Sequence, residues 1–470
     1  MPHNSPLTSS FRDPAGFVFK RDGELFRQIN SEYITHYDHL TDSGLYTKLV
    51  DRGWLVAHEE QLSPEVGYRV IKPEVIKQIS YPYEWSFSQL REAALLILRI
   101  QELALEHDMT LKDASAFNVQ FRGCCPVLID TLSFERLDES KPWIAYKQFC
   151  EHFLGPLALM CQVDPRQRKL FLGFIDGIPL QLTSRTLPLR TWLNYSTLVH
   201  IHLHSRSQLR HADAAAVAPR RQPTMSRKLH SALTVSLRRA VEKSKMPNLE
   251  TEWGNYYEET NYSESALAAK EELVTEWLQT YWRPGQTIHD LGANTGRFSK
   301  LSADTTDAYV VSYDVDEVAV EKNFLNLCKE TAYQRRILPM VLDLTNPSPS
   351  LGWAHAERDS LTLRCEHGFI LALALIHHLA IGNNTPLGNI ASFLAEISQT
   401  LLIEFVPKTD SQVQRLLATR NDTFVDYTRQ EFEKSFSKYF QLQRSEAIRD
   451  SERRLYLWTR LEEVNKRLPS

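Results

Sequence analysis

Six cysteines are spread over 470 residues with no Cys-x-x-Cys pair among them. Cys124 and Cys125 are adjacent and the other four stand singly. That usage fits reduced thiols in a cytoplasm better than a disulfide framework or a zinc site, so a cytoplasmic location and no firm metal site are expected. No charge of one sign dominates. The formal net charge is −4, which leaves no electrostatic footprint for a nucleic-acid partner. Long apolar runs are missing too. The stretches AALLILRI and FILALALIHHLA are too short to cross a bilayer, so no membrane span is expected. The first residues, MPHNSPLTSSFRDPAG, hold no apolar core segment and do not read as a signal peptide. No internal repeat is evident.

What is present is the balance of a soluble globular chain, 43% hydrophobic and 24% charged. The length exceeds one ordinary core, so two or more domains are expected. The division falls in 205–248. That stretch contains HADAAAVAPRRQPTMSRK, whose composition cannot bury enough surface to offset its ordering entropy. It reads as a basic, flexible linker, with LHSALTVSLRRAVEKSK as a solvated amphipathic helix within it. Residues 1–204 open on GFVFKRDGELFRQIN, a hairpin about Asp22-Gly23. A helix over TDSGLYTKLVDRGW, a strand in GYRVIKPEVI and a long helix over SFSQLREAALLILRIQELALEH follow, the last with a stripe through Leu90, Ala94, Ile97 and Leu98. Strands in FNVQF and CPVLIDTLSF precede helical segments in KQFCEHFLGPLALM. Strands first and helices afterwards predict an α+β N-terminal domain.

Residues 249–470 change to alternation. ESALAAKEELVTEWLQTYW is a helix, TIHDLG a strand, and TGRFSKLSA starts a helix. AYVVSYDVD, ILPMVLDL, HGFILALALI and TLLIEFVP supply further strands with helices between them, and RLYLWTRL a strand for an antiparallel edge. This predicts an α/β domain whose parallel sheet carries helices on both faces. Ligands of such sheets sit outside the carboxyl ends of the strands. There the first strand ends in Asp290-Leu291-Gly292-Ala293-Asn294-Thr295-Gly296. Small residues let the backbone turn and approach a ligand, but the pattern is not the Gly-x-Gly-x-x-Gly of dinucleotide binders. Asp290 would orient the loop or accept from a ligand ammonium. Asp314, ending the second strand, would accept from both hydroxyls of a ribose. Asp316 is a weaker candidate for that role, and Asp343, ending the third strand, would meet an adenine edge. A lone Asp at a strand end is more often a turn former. Three in succession beside the glycine loop favour a site.

These residues resemble the class I methyltransferase superfamily from about Trp253 to Leu461. The resemblance implies a Rossmann-like, seven-stranded sheet and S-adenosylmethionine as cofactor, with Asp290, Gly292, Asn294, Gly296, Asp314 and Asp343 binding it. Asn294 departs from the pattern by replacing a middle glycine. The strings WGNYYEETNYSESALAAKEELV, HDLGANTGRFSKL, ALALIHHLAIGNN and IEFVPKTDSQVQRLL, with LKDASAFNVQF and IDTLSFE, are similar to the family of the rhizobial nodulation protein NoeA. That likeness implies a methyltransferase-like protein linked to host-specific nodulation and names no substrate.

Methyl transfer to a hydroxyl or amine needs a base. His377 and His378, after the fourth strand, are the catalytic candidates, and Glu404 is a further one. The alternative is that the histidines merely cap a helix. Neither an Asn/Asp-Pro-Pro-aromatic tetrapeptide nor an acceptor-side Pro-Cys is found. By elimination the acceptor is a small molecule, a saccharide or glycan, or a lipid-linked group. Trp253, Tyr256, Tyr257 and Tyr262 would form a lid or pack on the sheet edge. A cofactor-binding scaffold without transfer is the competing reading.

In the N-terminal half, Asp113 and Asn118 have the Asp-x-x-x-x-Asn spacing of a kinase catalytic loop, and Asp130 ends the next strand, where a kinase holds its metal. The segment resembles a protein-kinase-like phosphotransferase, which implies ATP and Mg²⁺, with Lys72 or Lys20 at the phosphates. The Gly-rich phosphate loop is missing, and Ile129-Asp130-Thr131 stands for Asp-Phe-Gly. The bland reading is an accessory domain whose acids cap turns.

Overall fold

The computed structural model describes residues 6–61, 68–207, 224–249, 251, 263–365, 368–418 and 421–462. The chain forms two units, Met1–Asn248 with Ser350–Arg358, and Leu249–Pro349 with Asp359–Ser470.

In the first unit β1 (Gly16–Arg21) and β2 (Glu24–Asn30) are joined by Asp22-Gly23. Both turn residues have positive φ, 52° and 81°, the conformation whose twist suits a two-residue hairpin. With β3 (His58–Gln61) and β4 (Tyr68–Pro73) they make an antiparallel sheet in the order β1-β2-β4-β3. The helix expected over TDSGLYTKLVDRGW is broken. Gly44, at φ 77°, separates α1 (Ile34–Asp42) from α2 (Leu45–Asp51). Helix α3 (Phe87–Glu106) starts at a capping box of Ser86 and Gln89 and buries Leu90, Ala94, Ile97 and Leu98. Two small antiparallel pairs follow: β5 (Met109–Leu111) with β8 (Phe134–Arg136), and β6 (Val119–Arg122) with β7 (Cys125–Leu128).

Part of the segment read as a flexible linker is built into this unit. Residues Arg227–Glu242 form α4, which packs on α3. His230, Leu237 and Val241 are buried, and Arg238 Nε lies 3.0 Å from Glu102 Oε1. The expectation of a solvated helix fails because its apolar stripe finds a partner face. HADAAAVAPRRQPTM falls mostly outside the described residues. The stretch Ser350–Arg358 belongs to this unit as well, where Arg12 makes two hydrogen bonds of 2.8 Å to the buried Glu357 carboxylate.

The second unit opens with α5 (Glu264–Tyr281), then β9 (Ile288–Leu291), α6 (Arg297–Thr305), β10 (Val310–Asp314), α7 (Glu317–Leu327) and β11 (Ile337–Val341). It continues with β12 (Gly368–Ala372), α8 (Leu387–Ile397), β13 (Ser398–Phe405), α9 (Arg429–Phe436), β14 (Phe440–Ala447) and β15 (Arg454–Arg460). These strands form one seven-stranded sheet in the order β11-β10-β9-β12-β13-β15-β14. The first five are parallel, and β15 runs antiparallel to both neighbours. Every residue of β9, β11 and β12 is buried, as a sheet covered on both faces requires. At the antiparallel edge Phe432 of α9 packs 4.9 Å, centroid to centroid, from Tyr456 of β15. Among the described residues no helix is long and apolar enough to cross a membrane.

Candidate functional site

The order of strands about β9 reverses direction: β10 lies on one side and β12 on the other. A crevice outside the carboxyl ends is expected at that point. A cavity of about 280 Å³ opens there, lined by Asp290, Gly292, Asn294, Asp314, Asp343 and His378 among others. Six residues singled out in the sequence therefore share one wall system, although they span three parallel strands and the segment after a fourth.

The loop after β9 is a chain of local hydrogen bonds. Gly292 N and Ala293 N both donate to Tyr313 O, at 2.9 and 2.8 Å, and Gly296 N donates to Ala293 O at 2.9 Å. Asn294 N donates to Asp314 Oδ2 at 2.7 Å and Thr295 N to Asn294 Oδ1 at 2.8 Å. Three residues of the loop take positive φ: Gly292 at 78°, Asn294 at 51° and Gly296 at 83°. Asparagine is the side chain that best tolerates this region after glycine, which accounts for Asn294 where the superfamily pattern has glycine. Gly296 does not line the cavity. A Cβ there would stand 2.5 Å from Asn323 Oδ1, so close packing of α6 against α7 requires this glycine.

Asp290 is buried, accepts from Ser299 Oγ at 2.6 Å, and is pushed up to about 6 by burial. Burial likewise pushes Asp314 up to about 6, against the backbone donors Asp316 N and Asn294 N that hold its two oxygens. A carboxylate has lone pairs beyond two, so Asp314 retains capacity toward the cavity. Asp316 instead caps α7, its Oδ1 accepting from Val318 N, Ala319 N and Thr251 Oγ1. Asp343 Oδ1 accepts from Thr345 N at 2.9 Å and Thr345 Oγ1 at 2.6 Å, shaping the turn after β11 at the cavity rim.

The rings of His377 and His378 lie with centroids 4.1 Å apart and are tilted 41° to one another. Burial holds His378 down at about 4 and His377 well below the usual imidazole range, so both are neutral at physiological pH. Only His378 lines the cavity. Glu404 is fully buried and spent on cations. Its Oε2 sits 2.6 Å from Lys270 Nζ and accepts from Ala374 N at 2.9 Å, while Oε1 lies 3.5 Å from Arg453. A carboxylate so clamped is not a proton acceptor for a substrate. Lys270 also lines the cavity and was not anticipated. The signal was present in the spacing. Ala266, Lys270, Val274 and Trp277 form the buried stripe of α5, and a lysine on an apolar stripe needs a partner. Trp253, Tyr256, Tyr257 and Tyr262, the lid candidates, lie outside the described residues.

In the first unit Asp113, Asn118 and Asp130 do come together. Asp113 accepts from Asn118, from Gln148 Nε2 at 2.8 Å and from Ser115 N at 2.9 Å, and is raised by burial and by Asp130. Asp130 caps a short turn, accepting from Leu132 N and Ser133 Oγ, and Arg27 Nη1 lies 2.6 Å from its Oδ1. The Asp130 carboxylate is thus occupied by a guanidinium. Lys72 pairs with Glu24 at 2.6 Å. Among the described residues no group of three or more His, Cys, Asp or Glu is placed to hold a metal.

The chemistry of the cavity suits some ligands better than others. Nucleotide-binding loops grip phosphate through free backbone amides, and here all five amides from Gly292 to Gly296 are used inside the protein. A pyrophosphate finds no cradle. Three carboxylates, of Asp290, Asp314 and Asp343, line the cavity instead. Fold and cavity together define an α/β protein with a seven-stranded sheet and a cavity outside the carboxyl ends of its parallel strands.

The chain matches no family model. It is 33% identical over 477 residues to nodulation protein NoeA of Rhizobium meliloti (strain 1021), covering 98% of this chain and 97% of that one. The protein belongs to the NoeA family. Among solved structures, the magnesium protoporphyrin IX methyltransferase ChlM of Synechocystis PCC 6803 with bound SAH is 18% identical, covers 46% of this chain and 90% of its own, and gives a TM-score of 0.31. The bifunctional kinase-methyltransferase WbdD is 16% identical over 41% of this chain and 38% of its own, with a TM-score of 0.26. Likeness of this degree carries no argument about activity.

Proposed function

We propose that the second unit is a class I S-adenosylmethionine-dependent methyltransferase acting on a small-molecule or glycan acceptor, in a role tied to host-specific nodulation. The observation that carries the reading is the cavity itself. Asp290, Asp314 and Asp343 line it from three consecutive strand ends, beside a loop whose amides are consumed internally. Asp314 would hold the ribose hydroxyls, Asp343 and the turn after it the adenine edge, and Asp290 the ammonium end, with Gly292 and Asn294 forming the floor. When bound, the cofactor supplies a methyl on a sulfonium. His378, neutral and on the cavity wall, would take the acceptor's proton on a ring nitrogen, with His377 packed behind it as support. Relationship to a nodulation protein supports the biological setting. Titration calorimetry with S-adenosylhomocysteine tests the cofactor site, and absence of binding by folded protein at sub-millimolar ligand refutes it.

A second reading draws on the low basicity of both histidines: the site holds the cofactor and transfers nothing, as a sensor or scaffold. Labelled methyl appearing in any product after incubation with cell extract removes it. A phosphotransferase role for the first unit would have to displace Arg27 from Asp130 before Mg²⁺ could bind.

A further inference from the structure

Between Asp176 and Asp213 the sequence holds no Asp or Glu, while Arg185, Arg190 and Arg206 fall within that stretch. It also carries Leu189 and Leu193, which at 84% and 91% are the most exposed large apolar side chains among the described residues. Tyr195 follows at 72%, and Leu203 is exposed as well. Single exposed leucines are ordinary, but a cluster of them on a rigid backing marks an interaction surface. The backing is rigid here. In the short helix Leu189–Leu193, the buried Thr191 donates its hydroxyl to Pro188 O at 2.7 Å, and so accepts from Nε2 of the buried His202 at 2.9 Å. Nδ1 of that ring then accepts from Ser184 Oγ at 2.8 Å. Trp192 stacks on His202 with centroids 4.2 Å apart, and the Arg206 guanidinium lies 4.5 Å from the Trp192 centroid. Trp192 and Arg206 thereby join the leucines to Leu203, three residues before Arg206 and on the same helical face. Arg190 donates to Gln162 at 3.3 Å, beside the exposed Val163. The acid next along, Asp164, is taken up by Arg166 at 2.7 Å. Among the described residues Arg185, Arg190 and Arg206 pair with no carboxylate.

We propose that this surface seats the first unit on a membrane that carries anionic lipid headgroups, lying on the bilayer without crossing it. Leu189, Leu193 and Tyr195 enter the boundary between headgroups and acyl chains, Trp192 sits at headgroup level, and the three arginines meet lipid phosphates. The choice of partner follows from the charge. A second copy of the chain, docked by the same surface about a two-fold axis, would set these arginines against their own copies with no acid of the stretch to receive them. An anionic lipid surface supplies apolar depth for the leucines and negative charge for the arginines at once. The inference concerns the first unit alone and does not depend on the cofactor reading of the second.

The experiment floats the full chain with vesicles of phosphatidylcholine alone, or of phosphatidylcholine with about one third phosphatidylglycerol. Wild type should bind the anionic vesicles about a hundredfold more tightly, about fivefold for each of three arginines, and lose that preference in high salt. A chain carrying Leu189→Ser and Leu193→Ser together should bind about tenfold more weakly or worse, with an unchanged circular dichroism spectrum because both side chains face water. Arg190→Gln and Arg206→Gln should each weaken binding about fivefold. Equal partition of wild type onto both vesicles overturns the proposal, and so does undiminished binding by the folded double variant. Should the double variant not fold, the arginine variants decide, and unchanged affinity in both overturns it. Wild type that ignores vesicles but binds polyglutamate in a Leu193-dependent way assigns the surface to an acidic protein and overturns the membrane reading. A dimer in sedimentation that Leu193→Ser disperses overturns it in favour of a second copy.

Discussion

Cofactor affinity should depend on pH in a way that few other groups in the molecule can imitate. Asp290 and Asp314 are both pushed up to about 6 by burial. A protonated carboxyl must surrender its proton or rotate it away before it can accept from a ribose hydroxyl or an ammonium. A group titrating near 6 is almost wholly ionised at pH 8 and about one tenth ionised at pH 5. If each must be ionised, affinity falls about tenfold per group over that interval, or about a hundredfold for both. The assay is calorimetry with S-adenosylhomocysteine at several pH values, with circular dichroism confirming the fold at each. His378, neutral down to about 4, does not titrate in this window. Adenosine lacks the ammonium, so its affinity should follow Asp314 alone and fall about tenfold. Asp290→Asn should remove one step from the profile of the amino-acid compound and leave that of adenosine unchanged. A flat profile in folded protein would show that these carboxylates do not face the ligand. The same groups bear on folding with the opposite sign. Burial raises both above the ordinary carboxylate range, so the native state holds protons longer and stability falls as pH rises from about 4 through 6.

Gly296→Ala should destabilise the second unit by about 1–3 kcal/mol in urea unfolding, from positive φ and the approach to Asn323, whereas Asn294→Gly should change stability by less than about 1 kcal/mol. Asp130→Ala should lower stability by about 1–3 kcal/mol by removing the nearer of the two carboxylates that pair with Arg27, Asp13 remaining at 3.5 Å, and wild type should show no Mg²⁺-dependent ATP binding in calorimetry. Such binding, lost in the variant, would restore the phosphotransferase reading. His378→Ala should keep S-adenosylhomocysteine affinity within about threefold, since the proposed reading gives this histidine the acceptor's proton and no contact with the cofactor. It should cut labelled-methyl transfer by about a hundredfold, and a variant with full transfer would remove His378 from the chemistry.

Much of the second unit was legible because its strands are buried on both faces and read as unbroken apolar runs, as in ILPMV and FILA. Strand β14 was not, because FQLQRSEA lies at the sheet edge with mostly exposed residues and carries no continuous apolar signal. The three aspartates were readable from position at strand ends, a rule that follows from parallel-sheet geometry. Lys270 and Arg453 were missed since their meaning lies in a network joining residues far apart in sequence. Helix α4 was misjudged for a related reason. Its basic composition suggests solvent, while the Leu237 and Val241 stripe is satisfied by α3, more than a hundred positions earlier in the chain. Gly296 was read as part of the loop, and its approach to Asn323 gives it a packing reason that the loop pattern does not reveal. Spacing alone does not distinguish a glycine that admits a cofactor from one that admits a neighbouring side chain.

The distribution of charge in the cavity carries one further step. A dinucleotide site must offset phosphate charge and spends loop amides to do so. This site spends its amides on the loop's own geometry and on Asp314, and so fixes a carboxylate where a phosphate would otherwise bind. In the proposed reading, the exchange suits that corner of the sheet to a hydroxylated, positively charged ligand. His378, neutral and also lining the cavity, adds no positive charge that would repel a sulfonium. If Asp314 were released from Asn294 N, the loop would gain a free amide and lose its acid together. Replacement of Asp314 should therefore weaken adenosine binding more than loss of one hydrogen bond explains, beyond the ten- to hundredfold of a single charge-assisted contact. A loss within that range would mean that the loop holds its shape without the aspartate, and that the coupling between loop and ribose site is absent.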